Sequence, residues 1–145
     1  MPNYYLALIS SLTWQEFLDA GGEIYGTTKN KENRAKKLKS GDKLLCYISK
    51  VGTFAGVLEI QLESYLDNSP VWKDADYPIR FKVKTLVFLE PDLGITVKSL
   101  FDDLTIFTRL NSLKGWQGFF QNALNQFPEE DGKLIEQKLM KLKKK

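Results

Sequence analysis

Apolar and polar positions divide the chain into short elements. Tyr4 to Ile9 is an unbroken apolar run of strand length and predicts a central strand. Thr13-Trp-Gln-Glu16 then has the form of a capping box, in which hydroxyl and carboxylate satisfy free amides of a first helical turn. A short helix over 14–20 follows, with Trp14, Phe17 and Leu18 at helical spacing, so Trp14 reads as core. Gly21-Gly22 stops it. A second short helix is expected across Asn33 to Leu38, and Ser40-Gly41-Asp42 reads as a turn. Lys43 to Ser49 and Phe54 to Tyr65 read as antiparallel strands, with Gly56 marking a bulge or the close approach of another backbone. Ile79 to Leu89 alternates Ile79, Phe81, Val83 and Thr85 against Arg80, Lys82 and Lys84, the pattern of a half-buried strand.

The last third changes character. A helix is expected over 96–104, an extended piece at 107–110, and a helix from Ser112 to Leu124 carrying Leu113, Trp116, Phe119, Phe120 and Leu124. Pro128-Glu-Glu-Asp131 opens a final helix, with proline in the first turn and acids complementing the helix dipole. Its apolar stripe is Leu134, Ile135, Leu139 and Leu142. The sum is an α+β fold of five to six mostly antiparallel strands, closed toward a barrel and flanked by helices. No composition break divides it, so one domain over residues 1–142 is expected, with 143–145 a basic tail or the start of a linker.

Composition narrows the chemistry. The 145 residues suffice for one core, with 43% hydrophobic and 27% charged residues as in globular domains. No apolar run approaches the roughly 18 residues of a membrane span, and the N-terminus lacks a signal-peptide pattern; a cytoplasmic protein without a membrane partner is expected. Cys46, the one cysteine, lies in an apolar run and reads as a buried small hydrophobe. The chain has no histidine, which excludes Ser-His-Asp and Cys-His catalysis and every histidine metal site. Dinucleotide and P-loop glycine motifs are missing, and the acid pairs at 102–103 and 129–131 sit where helix ends explain them. A binding protein rather than an enzyme is expected, with no metal and no cofactor.

The net charge is only +3, yet Lys29, Lys31, Arg34, Lys36, Lys37, Lys39 and Lys43 gather in one block. Such a block is either a local polyanion site or a solvated helix face. The stretch from Val71 to Phe81 is the other anomaly. It joins two strands, where surface loops carry small polar residues, yet holds Trp72 and Tyr77 with Asp67, Asp74 and Asp76 nearby. Trp72 either plugs the core or stacks on a flat ligand. Tyr25, followed at once by Gly26, offers a third aromatic at a strand end or loop.

In order along the chain, these segments resemble the EVE domain of the PUA-like superfamily, which also contains the YTH domain. Tyr4 to Ser10 looks like its opening strand, and Tyr25-Gly-Thr-Thr28 like the strand end bearing the first cage aromatic. Ser40-Gly-Asp-Lys-Leu-Leu-Cys-Tyr47 with Phe54-Ala-Gly-Val-Leu-Glu59 resembles its central strand pair. The Trp72–Phe81 segment is similar to the one supplying the remaining cage aromatics, and the helix at Pro128-Glu-Glu-Asp131 to the C-terminal end of archaeal stand-alone EVE proteins.

The resemblance implies a PUA-like barrel that holds a flipped-out, methylated nucleobase in an aromatic cage. Tyr25, Trp72 and Tyr77 would form the walls. The Gly26 carbonyl and the polar groups of Ser10, Ser11 and Thr13 would meet the base edge, and Arg109 a flanking phosphate. Lys29, Lys31, Arg34, Lys36 and Lys37 would add phosphate contacts. The partner is modified DNA or RNA, with N6-methyladenine favoured over a 5-modified cytosine. The likeness also implies a specificity module of a modification-dependent restriction system, with a fused or associated nucleotidase or nuclease. Tyrosine stands at 25 where the family usually has tryptophan. The alternative is a PUA-like structured-RNA or tRNA binder with its aromatics in the core; a small-molecule hydrolase or deaminase on a similar barrel is disfavoured by the missing histidine and metal ligands.

Overall fold

The computed structural model describes residues 3–67, 77–100, 103–104 and 124–143. Among these, eight strands form one mixed sheet, curled into a half-barrel, in the order β2-β6-β4-β3-β1-β8. The strands are β1 (Tyr4–Ile9), β2 (Ile24–Thr27), β3 (Lys43–Ile48), β4 (Thr53–Ile60), β5 (Tyr65–Leu66), β6 (Ile79–Phe88), β7 (Ile95–Thr96) and β8 (Gln126–Phe127). β5 pairs with β6, and β7 with β4. The pairings are antiparallel apart from β1 with β3, which run parallel from Tyr4↔Lys43 to Ile9↔Ile48. β1, β3 and β4 are the near-continuous apolar runs, as strands covered on both faces must be.

Among the described residues, three helices flank the sheet: α1 (Ser11–Asp19), α2 (Glu32–Ala35) and α3 (Glu129–Lys143). α1 begins one turn earlier than the capping box suggests. Ser10 is the N-cap, its Oγ accepting from the Thr13 amide at 3.2 Å, so Thr13 lies inside the first turn. The helix ends at Gly21-Gly22, both at positive φ. α2 covers half of the expected 33–38 helix and follows a 3-10 turn at Lys29–Lys31. The expected helix at 96–104 is not formed at its start. Thr96 pairs with Thr53 in β7–β4, and Val97–Leu100 is a 3-10 turn whose Val97 amide reaches the Gly52 carbonyl. Leu124 takes φ 66 and donates to Leu6 O, so it cannot continue the helix expected from Ser112. The rest of that helix and the 107–110 piece lie outside the described residues.

Two clusters fill the two faces of the sheet. One gathers Trp14, Phe17, Tyr25, Leu44, Cys46, Ile48, Leu58, Ile79 and Phe81; the other gathers Tyr4, Leu6, Leu45, Phe54, Val57, Val87, Ile135 and Leu139. α3 covers the second through Ile135 and Leu139, both fully buried. It is pinned by Glu136, which accepts from the Tyr4 hydroxyl at 2.7 Å and pairs with Lys43. Trp14 is core, as its spacing suggests: it stacks on Phe17 and Phe88, and its Nε1 donates to Leu89 O at 2.9 Å. The motif at Ser40-Gly41-Asp42 has a structural basis too, since the buried Asp42 carboxylate accepts from the amides of Asn3 and Lys39.

Candidate nucleic-acid interface

The sequence places Tyr25, Gly26 and Tyr77 together only if β2 meets the start of β6, and it does. The register Tyr25↔Phe81, Gly26↔Arg80 and Thr27↔Ile79 brings the end of β2 to the residues just after Tyr77. Successive side chains on a strand point to opposite faces. Tyr25 therefore turns into the first core cluster, 1% exposed, while the open position of Gly26 faces Tyr77. A β-carbon at Gly26 would stand 2.8 Å from Tyr77 Cβ and 3.3 Å from its carbonyl oxygen, so only glycine admits this approach. Tyr77 is half-buried and also packs against the cluster that holds Tyr25.

Burial pushes the Tyr25 phenol well above its ordinary range; neighbouring Cys46 and Tyr77 add to this, and a bond with the Leu8 main chain opposes it. Leu8 lies on β1, two residues before the Ser10 cap. Ser10 and Thr13 there bond to each other, Oγ to Oγ1 at 2.9 Å; Thr13 is buried and Ser11 exposed. Trp72 and Arg109 lie outside the described residues.

The basic block lies beside this strand end. Lys29, Lys36 and Lys37 are exposed, Lys29 at 4.0 Å from Glu32. Burial, and then the charge of Arg34, hold the Lys31 amine below its ordinary value. Arg34 is engaged with the chain itself, donating to Asn125 Oδ1 at 2.6 Å. Lys36 lines a cavity of about 280 Å³ with Glu32, Glu63, Ser64, Tyr65, Leu66 and Ile79. Tyr65 and Leu66, on edge strand β5, are among the exposed large apolar residues.

The EVE-domain family profile matches residues 3–137. The chain belongs to the EVE-domain family. A relative, the UPF0310 protein PH1033 of Pyrococcus horikoshii, is 30% identical over 94% of this chain and 99% of its own. Among solved structures, the EVE domain described here resembles the Pho92 YTH domain in complex with m6A, with TM-score 0.69 and 23% identity over 96% of this chain and 86% of that one. It also resembles the YTH domain of Zygosaccharomyces rouxii MRB1 in complex with N6-methyladenosine RNA, with TM-score 0.67 and 20% identity over 96% and 87% of the two chains.

One residue of this EVE domain departs from its sequence reading. Arg80, grouped by alternation with the solvent-facing Lys82 and Lys84, is buried while both lysines are exposed. Its Nε donates to Tyr77 O at 3.0 Å, and its guanidinium lies 3.5 Å from Asp67 Oδ2. The pairing Tyr65↔Arg80 brings Asp67 within reach. The only trace of this in the sequence is an acid upstream of an arginine, which alternation alone cannot rank.

Proposed function

We propose that this EVE domain is a nucleic-acid-binding module that accepts a flipped-out methylated nucleobase at the joint of β2 and β6. The observation that carries the reading is the seating of Tyr77 against Gly26 at the end of β2, beside the exposed lysines of the 29–37 segment. The shared fold with YTH domains solved with N6-methyladenosine supports it. Tyr25, Trp72 and Tyr77 supply the aromatic walls; Ser10, Ser11, Thr13 and the Gly26 carbonyl supply polar groups for the base edge. Lys29, Lys31, Lys36, Lys37, Arg34 and Arg109 meet phosphates. Aromatic stacking contributes about 1–3 kcal/mol per base, enough to select a base with more polarisable surface. N6-methyladenine is favoured over a 5-modified cytosine. The module acts as a binder rather than an enzyme, and a role as the specificity element of a modification-dependent restriction system, beside a nuclease, follows from this reading.

The near-complete burial of Tyr25 favours a second reading: a PUA-like binder of structured RNA in which that ring is simply core. A panel of matched oligonucleotides separates the two. DNA and RNA strands carrying one N6-methyladenine, one 5-methylcytosine or no modification are titrated against the protein. Tighter binding of a methylated member supports the base-binding reading. Equal affinity across each matched set, with preference for folded RNA, supports the second.

A further inference from the structure

We propose that Arg80 is a positioning residue that seats Tyr77 against Gly26 and so sets the selectivity of the base site without touching nucleic acid. The proposal rests on the base-binding reading above. The Arg80 side chain is only 4% exposed, while its partner Asp67 is 43% exposed. A buried ion pair is a weak stabiliser, because desolvation offsets the attraction. What an arginine adds is geometry: its planar fork holds two acceptors in fixed directions, which a lysine ammonium cannot do.

Both acceptors matter to Tyr77. One is the Tyr77 carbonyl itself, the same oxygen that lies 3.3 Å from the β-carbon position of Gly26. The other, Asp67, donates its amide to Pro78 O at 3.0 Å, the residue next to Tyr77. Arg80 thus ties the main chain on both sides of β5–β6 pairing to the strand position opposite Gly26. Exposed lysines such as Lys36 and Lys37 can reach phosphate; Arg80, enclosed, cannot. Its loss should therefore act on selectivity and leave the electrostatic part of binding alone.

The test uses Arg80→Met, Arg80→Lys and Asp67→Asn in the full chain. Binding is measured at two salt concentrations to one oligonucleotide carrying N6-methyladenine and to its unmodified match, and exchange of the Asp67 amide is followed by NMR. In Arg80→Met the preference for the modified strand is expected to fall about tenfold, which is ~1.4 kcal/mol. Arg80→Lys and Asp67→Asn should shift it in the same direction by less. Unmodified affinity and salt slope should stay unchanged, and the Asp67 amide should exchange faster while β4–β6 amides stay protected. A faster Asp67 amide with an unchanged preference would overturn the proposal, leaving Arg80 a structural residue. Parallel loss on both strands with a shallower slope would also overturn it, making Arg80 a phosphate contact. Should Arg80→Met fail to fold, Asp67→Asn decides by the same criteria. A wild-type protein with no preference defeats the base-binding reading, and with it the selectivity role; the Asp67 exchange then still reports whether Arg80 holds this segment.

Discussion

Two glycines show how far a single atom decides this fold. At Gly56 a β-carbon would stand 2.5 Å from the buried Trp14 ring and 2.7 Å from the main-chain oxygen of Val87. At Gly26 it would stand 2.8 Å from the Cβ of Tyr77, a half-buried residue packed against the first core cluster. Overpacking costs about 1–3 kcal/mol. Gly56→Ala should therefore lower the urea midpoint at the upper end of that range without altering any preference for a modified base. Gly26→Ala should cost less stability yet reduce the preference, because it displaces Tyr77. Equal effects of both on preference would remove the distinction drawn between core and site. Both glycines were legible in sequence as places of close approach, since a glycine inside an apolar or aromatic run has few other uses. Arg80 was not, because its burial depends on Asp67 and on the register of β5 with β6, which are contacts across a long connection.

At the scale of elements, strands were easier to place than helices. β1, β3 and β6 are continuous or alternating runs and fall within a residue of their expected bounds, whereas the strand expected from Phe54 to Tyr65 ends at Ile60, and Tyr65–Leu66 pairs separately as β5. The start of α1 was misplaced because Ser10 and Thr13 each stand three residues before a polar partner, and local spacing alone cannot choose between them. The structure chooses Ser10, whose hydroxyl takes the Thr13 amide. Ser10→Ala should therefore destabilise the fold by about 0.5–2 kcal/mol, as loss of an N-cap does. The comparison is thermal unfolding of Ser10→Ala against Ser11→Ala, whose exposed side chain should be near neutral. The segment Val97–Leu100, expected as part of a helix over 96–104, is a 3-10 turn with Val97 and Leu100 buried. Its amide at Val97 is drawn instead to Gly52, beside the β4–β7 pairing.

For the whole molecule, the α+β class and curled sheet were legible, but not the parallel pairing of β1 with β3. Two apolar runs carry no mark of direction; that comes from the path of the chain through α1 and β2 between them. The packed interior also sets an alkaline limit. Burial raises the phenols of Tyr25, Tyr4, Tyr5 and Tyr47 and the thiol of Cys46 above their ordinary values. Each group then holds its proton more tightly folded than unfolded, so its contribution is complete below the unfolded pKa and is lost as pH rises toward the folded one. Lys31, lowered by burial, works in the opposite sense but is a single group near the surface. Urea midpoints should be level from about pH 7 to 8 and fall above about pH 9–10, where free thiols and phenols ionise. Tyr25→Phe should flatten that fall; a wild-type curve that stays level to high pH would contradict the burial described here. Tyr77, as a base contact, is separable from the phosphate contacts by salt dependence. Binding of wild type and Tyr77→Ala to an N6-methyladenine oligonucleotide and its unmodified match is measured at several salt concentrations. Tyr77→Ala is expected to lower the modified-to-unmodified ratio by the equivalent of about 1–3 kcal/mol, with the salt slope unchanged. A ratio that survives the substitution, or a change in slope in its place, would contradict a base contact at Tyr77.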